Sequence, residues 1–474
     1  MLMYRLLYFL VWQLVTLSSN VFLVLIDMKN SFLHINLLIV VIVISIMAGS
    51  IPYVKAQQSW GLTKCVNYAI DHNIELNQKN NKITNQQINV LESKANILPD
   101  LNIGSGVNIN FGRNIDGNTN AITYNQTLNN SYWIESSIDI FQGLVRYNTI
   151  GFNNFLLRAT KQEALYAKNK LIFSVLTSYY TALYSTGLQK VAKNQVVLSQ
   201  MQLKRMQRLV DVGKESPITV QELKSQWAKD KLSLTRAKNN TSKTLLGLKQ
   251  LLRLDANQLF EIDTLNISSL VISPIPSIDS VFKIAVNNLP EIKQQEYLLM
   301  ASEKDLAVAK GTISPRLYVS AGFATNYFDG DTLGYKTQIN NNQNQRINMG
   351  IVIPVFNNAS TYSKIKRKQI AIKNSELQLE KRREDLYTEI WKAVDDLQSA
   401  ENEYKSSVEL YGFSELTLQN TTKKMEKGLA STTDFEVAKQ RFISAEAGLL
   451  KAKLVYVMRK QMLEFYQTGS WGHL

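Results

Sequence analysis

The chain has 474 residues, with only 21 Gly, 8 Pro and one Cys, and a formal net charge of +14. Sparse Gly and Pro argue against turn-rich globules and for long helices, while a lone cysteine excludes an intrachain disulfide and any cysteine-based metal cluster. The positive charge, +12 once residues 1–56 with Arg5, Lys29, Lys55 and Asp27 are set aside, is mixed with Glu and Asp along helical stretches, which marks solvated helix faces rather than a nucleic-acid surface.

In chain order, residues 1–27 are apolar, with Arg5 near the start. They read as a mis-called start or as an extra apolar leader, and the former is favoured because two successive leaders serve no evident purpose. Residues 28–56 form a secretory signal: Lys29, an apolar run from Leu37 to Met47, then Ser50, Pro52 and the small-residue site Val54-Lys55-Ala56. The mature chain then begins at Gln57. Cys65 falls on the apolar side of the first expected helix and reads as a core residue.

Two alternating segments follow. Leu101, Ile103, Val107, Ile109 and Phe111 alternate with Asn102, Gly104, Gly106, Asn108 and Asn110, and Tyr132, Ile134, Ile138 and Ile140 alternate with polar residues. Alternation over about ten residues, apolar on one face and small or polar on the other, matches a membrane-barrel strand. Strands are expected at 101–111 and 132–141, joined by a long Asn-rich loop, Gly112–Ser131. Gly104-Ser105-Gly106 is no phosphate loop, since no helix follows it. From Leu144 to about Val210 a helix on the order of 100 Å is expected, with Ile172, Val175, Tyr179 and Ala182 on a packing seam. Gly213 ends it in a left-handed conformation, and Ser216 with Pro217 caps and opens the return helix.

The second half repeats the first. Ala69-Ile70-Asp71-His72-Asn73-Ile74-Glu75-Leu76 returns as Ala285-Val286-Asn287-Asn288-Leu289-Pro290-Glu291-Ile292, and Leu98-Pro99 returns as Ser314-Pro315, both 216 positions later. Ile140-Phe141-Gln142-Gly143 answers Val355-Phe356-Asn357-Asn358, and Gly213 answers Gly428, both at 215. One offset kept by separate landmarks marks a tandem duplication. The first repeat is placed at 57–252, a linker at 253–279, the second repeat at 280–468 and a tail at 469–474. Strands are expected at 317–327 and 347–355 around a second Asn-rich loop, Phe328–Asn344. A second long helix runs from Asn358 to about Lys427 with Leu386, Ile390, Ala393, Leu397, Ala400 and Tyr404 on its seam. Gly428 ends it, and Ser431 with Asp434 forms a capping box for the last helix. Trp133, Tyr132, Tyr318 and Tyr327 are candidates for an aromatic girdle. Lys364, Lys366, Arg367 and Lys368 read as a headgroup-facing patch or as a solvated helix face.

These features together resemble the outer-membrane efflux protein (TolC) family, and the turns sharpen the likeness: Val212-Gly213-Lys214-Glu215-Ser216-Pro217-Ile218-Thr219 and Lys427-Gly428-Leu429-Ala430-Ser431-Thr432-Thr433-Asp434-Phe435. The resemblance covers about Trp60 to Phe465. It implies a mainly α fold with membrane β: duplicated helical hairpins forming a coiled-coil periplasmic tunnel, and four strands per subunit in a trimeric twelve-stranded outer-membrane β-barrel. It further implies a homotrimer, a periplasmic adaptor (membrane fusion) protein, an inner-membrane pump and outer-membrane lipid as partners, with no nucleic acid and no cofactor. The activity implied is passive conduction of efflux or type I secretion cargo.

The family's gate pattern places acidic residues six and nine positions after the turn glycine. Here those positions hold Asp434 and Val437 in the second repeat, and Thr219 and Glu222 in the first. A split pore gate of Asp434 and Glu222 is the expectation, and capping alone is the competing reading of Asp434. Gly213, Ser216, Pro217, Gly428 and Ser431 are the expected adaptor contacts at the hairpin tips. No catalytic triad, paired acid or metal motif is visible, and His34, His72 and His473 lie far apart, so an enzyme is not expected. The alternative is a non-conducting periplasmic coiled coil, anchored in the inner membrane by residues 1–47.

Overall fold

The computed structural model describes residues 59–471 apart from 116–119, 125, 256, 264–269 and 271. The leader (1–27) and the signal peptide (28–56) lie outside the described residues, as do the last three residues of the tail. The first repeat runs α1 (Leu62–His72), α2 (Ile74–Ala95), β1 (Asp100–Asn110), β2 (Arg113–Ile115), β3 (Ile122–Tyr124), β4 (Thr127–Gln142), α3 (Val145–Asp211) and α4 (Pro217–Leu252). The second runs α5 (Ile278–Asn288), α6 (Pro290–Gly311), β5 (Arg316–Phe328), α7 (Tyr335–Asn341), β6 (Asn344–Val352), α8 (Ser360–Glu426) and α9 (Thr432–Thr468).

The duplication is visible in the element lengths. α1 and α5 each have 11 residues, α2 and α6 each 22, and α3 and α8 each 67, while α4 and α9 have 36 and 37. A 67-residue helix is about 100 Å long. Each long helix starts after two consecutive left-handed residues, Gly143 and Leu144 in one repeat and Asn358 and Ala359 in the other. Leu144 and Ala359 pay a steric penalty there, which turns the chain abruptly from strand to helix.

Each repeat centres an apolar core, and Leu454 of α9 joins that of the first. In the first, Cys65, Val66 and Ala69 of α1 pack with Ile172, Val175, Leu176, Tyr179 and Ala182 of α3 and with Leu248 and Leu252 of α4. Burial pushes the Cys65 thiol up to about 12, so it remains a neutral core side chain. In the second, Val281 and Ala285 of α5 pack with Leu386, Ile390 and Leu397 of α8 and with Tyr456 and Leu463 of α9. The two i, i+4 seams read from the sequence lie in these cores. The stretch after α4 returns to the first core, where Trp60 N–H donates to Glu261 O at 2.9 Å and Asp263 N–H to Trp60 O at 3.1 Å.

The main sheet is antiparallel in the order β1-β4-β5-β6. Its outer strands, β1 and β6, are each paired on one side only. The structure corrects the expected strand bounds. β4 begins at Thr127, not at 132, because the ladder with β1 runs on through Asn130 opposite Val107 and Leu128 opposite Ile109. β6 runs from Asn344 and stops at Val352, because Pro354 has no N–H to extend the ladder.

Both loops read as irregular carry structure as well. The first holds the β2–β3 ribbon. The second folds as α7 around Gln338, whose side chain is buried; its amide donates to Phe328 O and Leu333 O and its oxygen accepts from Phe328 N–H. α5 begins at Ile278, inside the stretch expected to be linker.

Candidate functional site

Three places carry the candidate side chains: the hairpin turns, the strand-to-helix junction and the polar face of the sheet. The two turns are built alike. Gly213 (φ +73°) and Gly428 (φ +75°) sit just past the ends of α3 and α8. At the first, Gly213 N–H donates to Val210 O and Lys214 N–H to Leu209 O, both at 2.9 Å. At the second, Gly428 N–H donates to Met425 O at 3.1 Å and Leu429 N–H to Lys424 O at 2.8 Å. Paired bonds of this kind satisfy the last helical carbonyls and need a left-handed residue at the glycine position.

The return helices open on serine caps. Ser216 Oγ accepts from Ile218 N–H at 3.3 Å, with Pro217 as the first helical residue. At the second turn Ser431 Oγ accepts from Asp434 N–H at 3.1 Å, and Asp434 Oδ2 accepts from Ser431 N–H at 3.0 Å. Ser431 Oγ also donates to Asp434 Oδ2 at 2.7 Å. The bonds from the Ser431 hydroxyl and then its backbone hold the Asp434 carboxyl below the usual carboxylate range. Asp434 and Glu222 are both exposed, Asp434 in the first turn of α9 and Glu222 in the second turn of α4. The protomer does not bring them together, and one oxygen of Asp434 is committed to the cap.

The register assigns the paired residues of the main sheet to two faces. Ile103, Ile134, Phe323 and Gln345 share one row, and Leu101, Ser136, Ala321 and Ile347 share another. This face also carries Val107, Ile109, Val319, Met349 and Ile351; Ile347 is 81% exposed and Ile103 75%. The opposite face carries Asn102, Gly104, Asn108, Glu135, Ser320, Gly322, Arg346 and Asn348. In a membrane barrel the first face meets lipid and the second lines the lumen.

The four girdle aromatics divide between these faces. Tyr132 and Tyr327 lie on the apolar face, where Tyr132 Oη is 2.8 Å from Tyr335 Oη of α7 and the Tyr327 and Tyr335 rings are 5.1 Å apart. Trp133 and Tyr318 lie on the polar face, packed over Gly104 and Gly350. The expected single girdle is therefore corrected, because adjacent residues of a strand cannot share a face.

Sequence reasoning missed the junction. Asp139 Oδ1 accepts from Arg316 Nε at 2.7 Å, and Asp139 Oδ2 accepts from Arg146 Nη2 at 3.1 Å. Arg146 Nη1 reaches Asp139 O at 3.3 Å and Ile97 O at 3.5 Å. One carboxylate at the bulge of β4 thus ties β5 to the start of α3. Its signal in the sequence was only an Asp and an Arg seven residues apart. Among the described residues no His/Cys/Asp/Glu group could hold a metal ion, and no helix is long and apolar enough to cross a membrane.

A family model described as "Outer membrane efflux protein" matches residues 66–252 and 281–466, one match to each repeat. No curated protein sequence matches the chain. Among solved structures the chain is similar to CusC, at 16% identity and a TM-score of 0.74, covering 88% of this chain and 96% of that one. It is similar to the Campylobacter jejuni CmeC outer membrane channel at 15% identity and 0.73, covering 86% and 85%. It is also similar to the outer membrane protein VceC of Vibrio cholerae at 13% identity and 0.72, covering 86% and 96%. At such identities the likeness speaks for the fold.

Proposed function

The chain belongs to the outer membrane efflux protein family, and from that premise we propose that three copies close one duct, through which cargo handed over by a periplasmic adaptor and an inner-membrane pump leaves the cell. The protein is an exit duct of the outer membrane, from a family of transport channels rather than enzymes. The observation that carries the trimer is the four-stranded sheet, apolar on one face, with β1 and β6 each open on one side. Unpaired backbone groups are not tolerated in lipid, and about eight strands is the smallest closed barrel. Joining β6 of one copy to β1 of the next satisfies every edge, and three copies supply twelve strands.

The duct itself does no chemistry, so the energy for export comes from the pump. The hairpin tips, with Gly213, Ser216, Pro217, Gly428 and Ser431, are the surface offered to the adaptor. Asp434 and Glu222 together supply the carboxylates of the pore gate: Asp434 stays ionised while capping α9, and like charges brought close by symmetry favour cations over anions. Efflux and type I secretion are both served by this architecture, and the cargo is selected upstream.

The test is the mass of the detergent-purified mature chain together with its conductance in planar bilayers, with Glu222→Ala and Asp434→Ala alongside. A trimer giving small cation-selective openings, with selectivity reduced in both variants, supports the full reading. Wild-type current with unchanged variants rejects the gate and keeps the duct. Monomers, or oligomers that insert without any current, reject the assembly.

A further inference from the structure

Deep in the helical stalk lies a charged cluster with no place in the gate or the caps. Lys439 of α9 has 0% exposure and Asp230 of α4 has 1%. Lys439 Nζ donates to Ser199 Oγ of α3 at 2.9 Å, and it lies 2.6 Å from Glu436 Oε2 and 3.6 Å from Asp230 Oδ2. Lys439 is thus held by one hydroxyl and two carboxylates, with Asp230 the more distant. Asp230 is held as fully: Oδ1 accepts from Gln195 Nε2 at 2.8 Å and Gln226 Nε2 at 3.0 Å, and Oδ2 accepts from Ser199 Oγ. α3 and α4 belong to the first repeat and α9 to the second, so the cluster joins the two hairpins of one protomer.

Uncharged side chains, most of them apolar, meet on either side of the cluster. Toward the barrel, Leu450 of α9 fills the space above Gly187 of α3, and Tyr180 Oη donates to Gln461 Oε1 at 3.1 Å near the edge of the core. Toward the tips, Met425 packs against the apolar group of Leu203, Met206, Val220 and Leu223. Apolar contact is non-directional and tolerates small displacements. A buried ion pair does not, because any slip strands a charge away from water.

We propose that the Lys439–Asp230 cluster is the fulcrum of the tunnel tip. It fixes α9 against α3 and α4 in a single register. Opening is then confined to the roughly 16–25 Å of helix between the cluster and the Gly428 and Gly213 turns, while the stalk on the barrel side keeps its packing. The inference rests on the duct reading above.

The test compares wild type, Lys439→Met and the double variant Asp230→Leu with Lys439→Met, each as the full mature chain. The double variant fills the core with apolar side chains of similar length. It is expected to assemble and melt like wild type but to raise the open probability in planar bilayers by about tenfold or more. The single variant, with Asp230 left unpaired, is expected to melt lower and to be rescued by Asp230→Leu. Wild type that conducts alongside a double variant of equal open probability overturns the fulcrum. Wild type that never conducts overturns the duct reading, and the fulcrum with it. Hydrogen exchange of wild type needs no variant: α9 amides are expected to exchange faster on the tip side of Lys439 than on its barrel side, and the absence of a step there overturns the proposal.

Discussion

The indole of Trp133 on β4 occupies the space that a side chain at Gly104 on β1 would need: a Cβ there would fall 2.4 Å from the ring. The two residues are direct partners in the ladder, on the polar face of the sheet. Gly104→Ala is therefore expected to push the ring out into the lumen and weaken the β1–β4 pair by about 1–3 kcal/mol. Heat resistance of the assembled oligomer on a gel should fall, and adding Trp133→Ala should recover part of the loss. A Gly104→Ala oligomer as heat-resistant as wild type would show that the ring moves freely.

At the hairpin turns the glycines are required for backbone reasons alone. No atom lies within 4 Å of a Cβ built at Gly213 or Gly428, yet both have positive φ. Gly→Ala at either turn is expected to destabilise the tip locally by about 1–2 kcal/mol, and Gly→Asn by less. Hydrogen exchange of the last turns of α3 and α8 reads this directly. Equal protection in the Ala variants would refute the left-handed turn.

The Asp434 cap predicts a pH dependence of known sign. Its folded-state carboxyl titrates below the ordinary range because Ser431 donates to it. The folded state therefore binds this proton less readily than the unfolded state, and the stabilisation is complete above the ordinary carboxylate value. It is lost as pH falls through the ordinary value, about 3.9, toward the depressed one. Amide protection over the first turn of α9, corrected for intrinsic rates, should be flat near neutral pH and drop in acid. Asp434→Asn should abolish that step.

Glu291 predicts the opposite sign. It is buried at the start of α6, its Oε2 has no hydrogen-bond partner, and burial pushes its carboxyl above the ordinary range against the pull of Arg382. Arg382 bonds more closely to Glu389, at 2.9 Å, than to Glu291, at 3.3 Å. A raised folded value means that stability declines as pH rises from the ordinary carboxylate value through the folded one. Glu291→Gln should flatten that part of the melting curve against pH. Arg382→Met, which leaves Glu291 buried without its cation, should cost about 3–5 kcal/mol at neutral pH. A smaller loss would mean that Glu291 is protonated in the fold.

Local chemistry made much of this legible in the sequence. The duplicated landmarks, the serine caps, the turn glycines and the strand alternation each depend on residues a few positions apart, and such signals survive without a partner. Even the split of Tyr132 from Trp133 follows from the two-residue period of a strand. The α7 turn did not show itself, because it is organised by Gln338 reaching the backbone of Phe328 and Leu333, and an isolated glutamine in an Asn-rich run carries no period.

What the sequence by itself determined was the layout of two copies, with their helices, turns and apolar stripes. Only the tertiary structure decided which polar residues became internal. Lys439 looks like any other lysine on a long helix until α3 and α4 bring Ser199 and Asp230 to it across more than two hundred positions, and Asp139 is an ordinary strand carboxylate until Arg316 reaches it from the other repeat. A charge can be buried only where acceptors or donors converge on it, and that convergence belongs to the packing of distant segments.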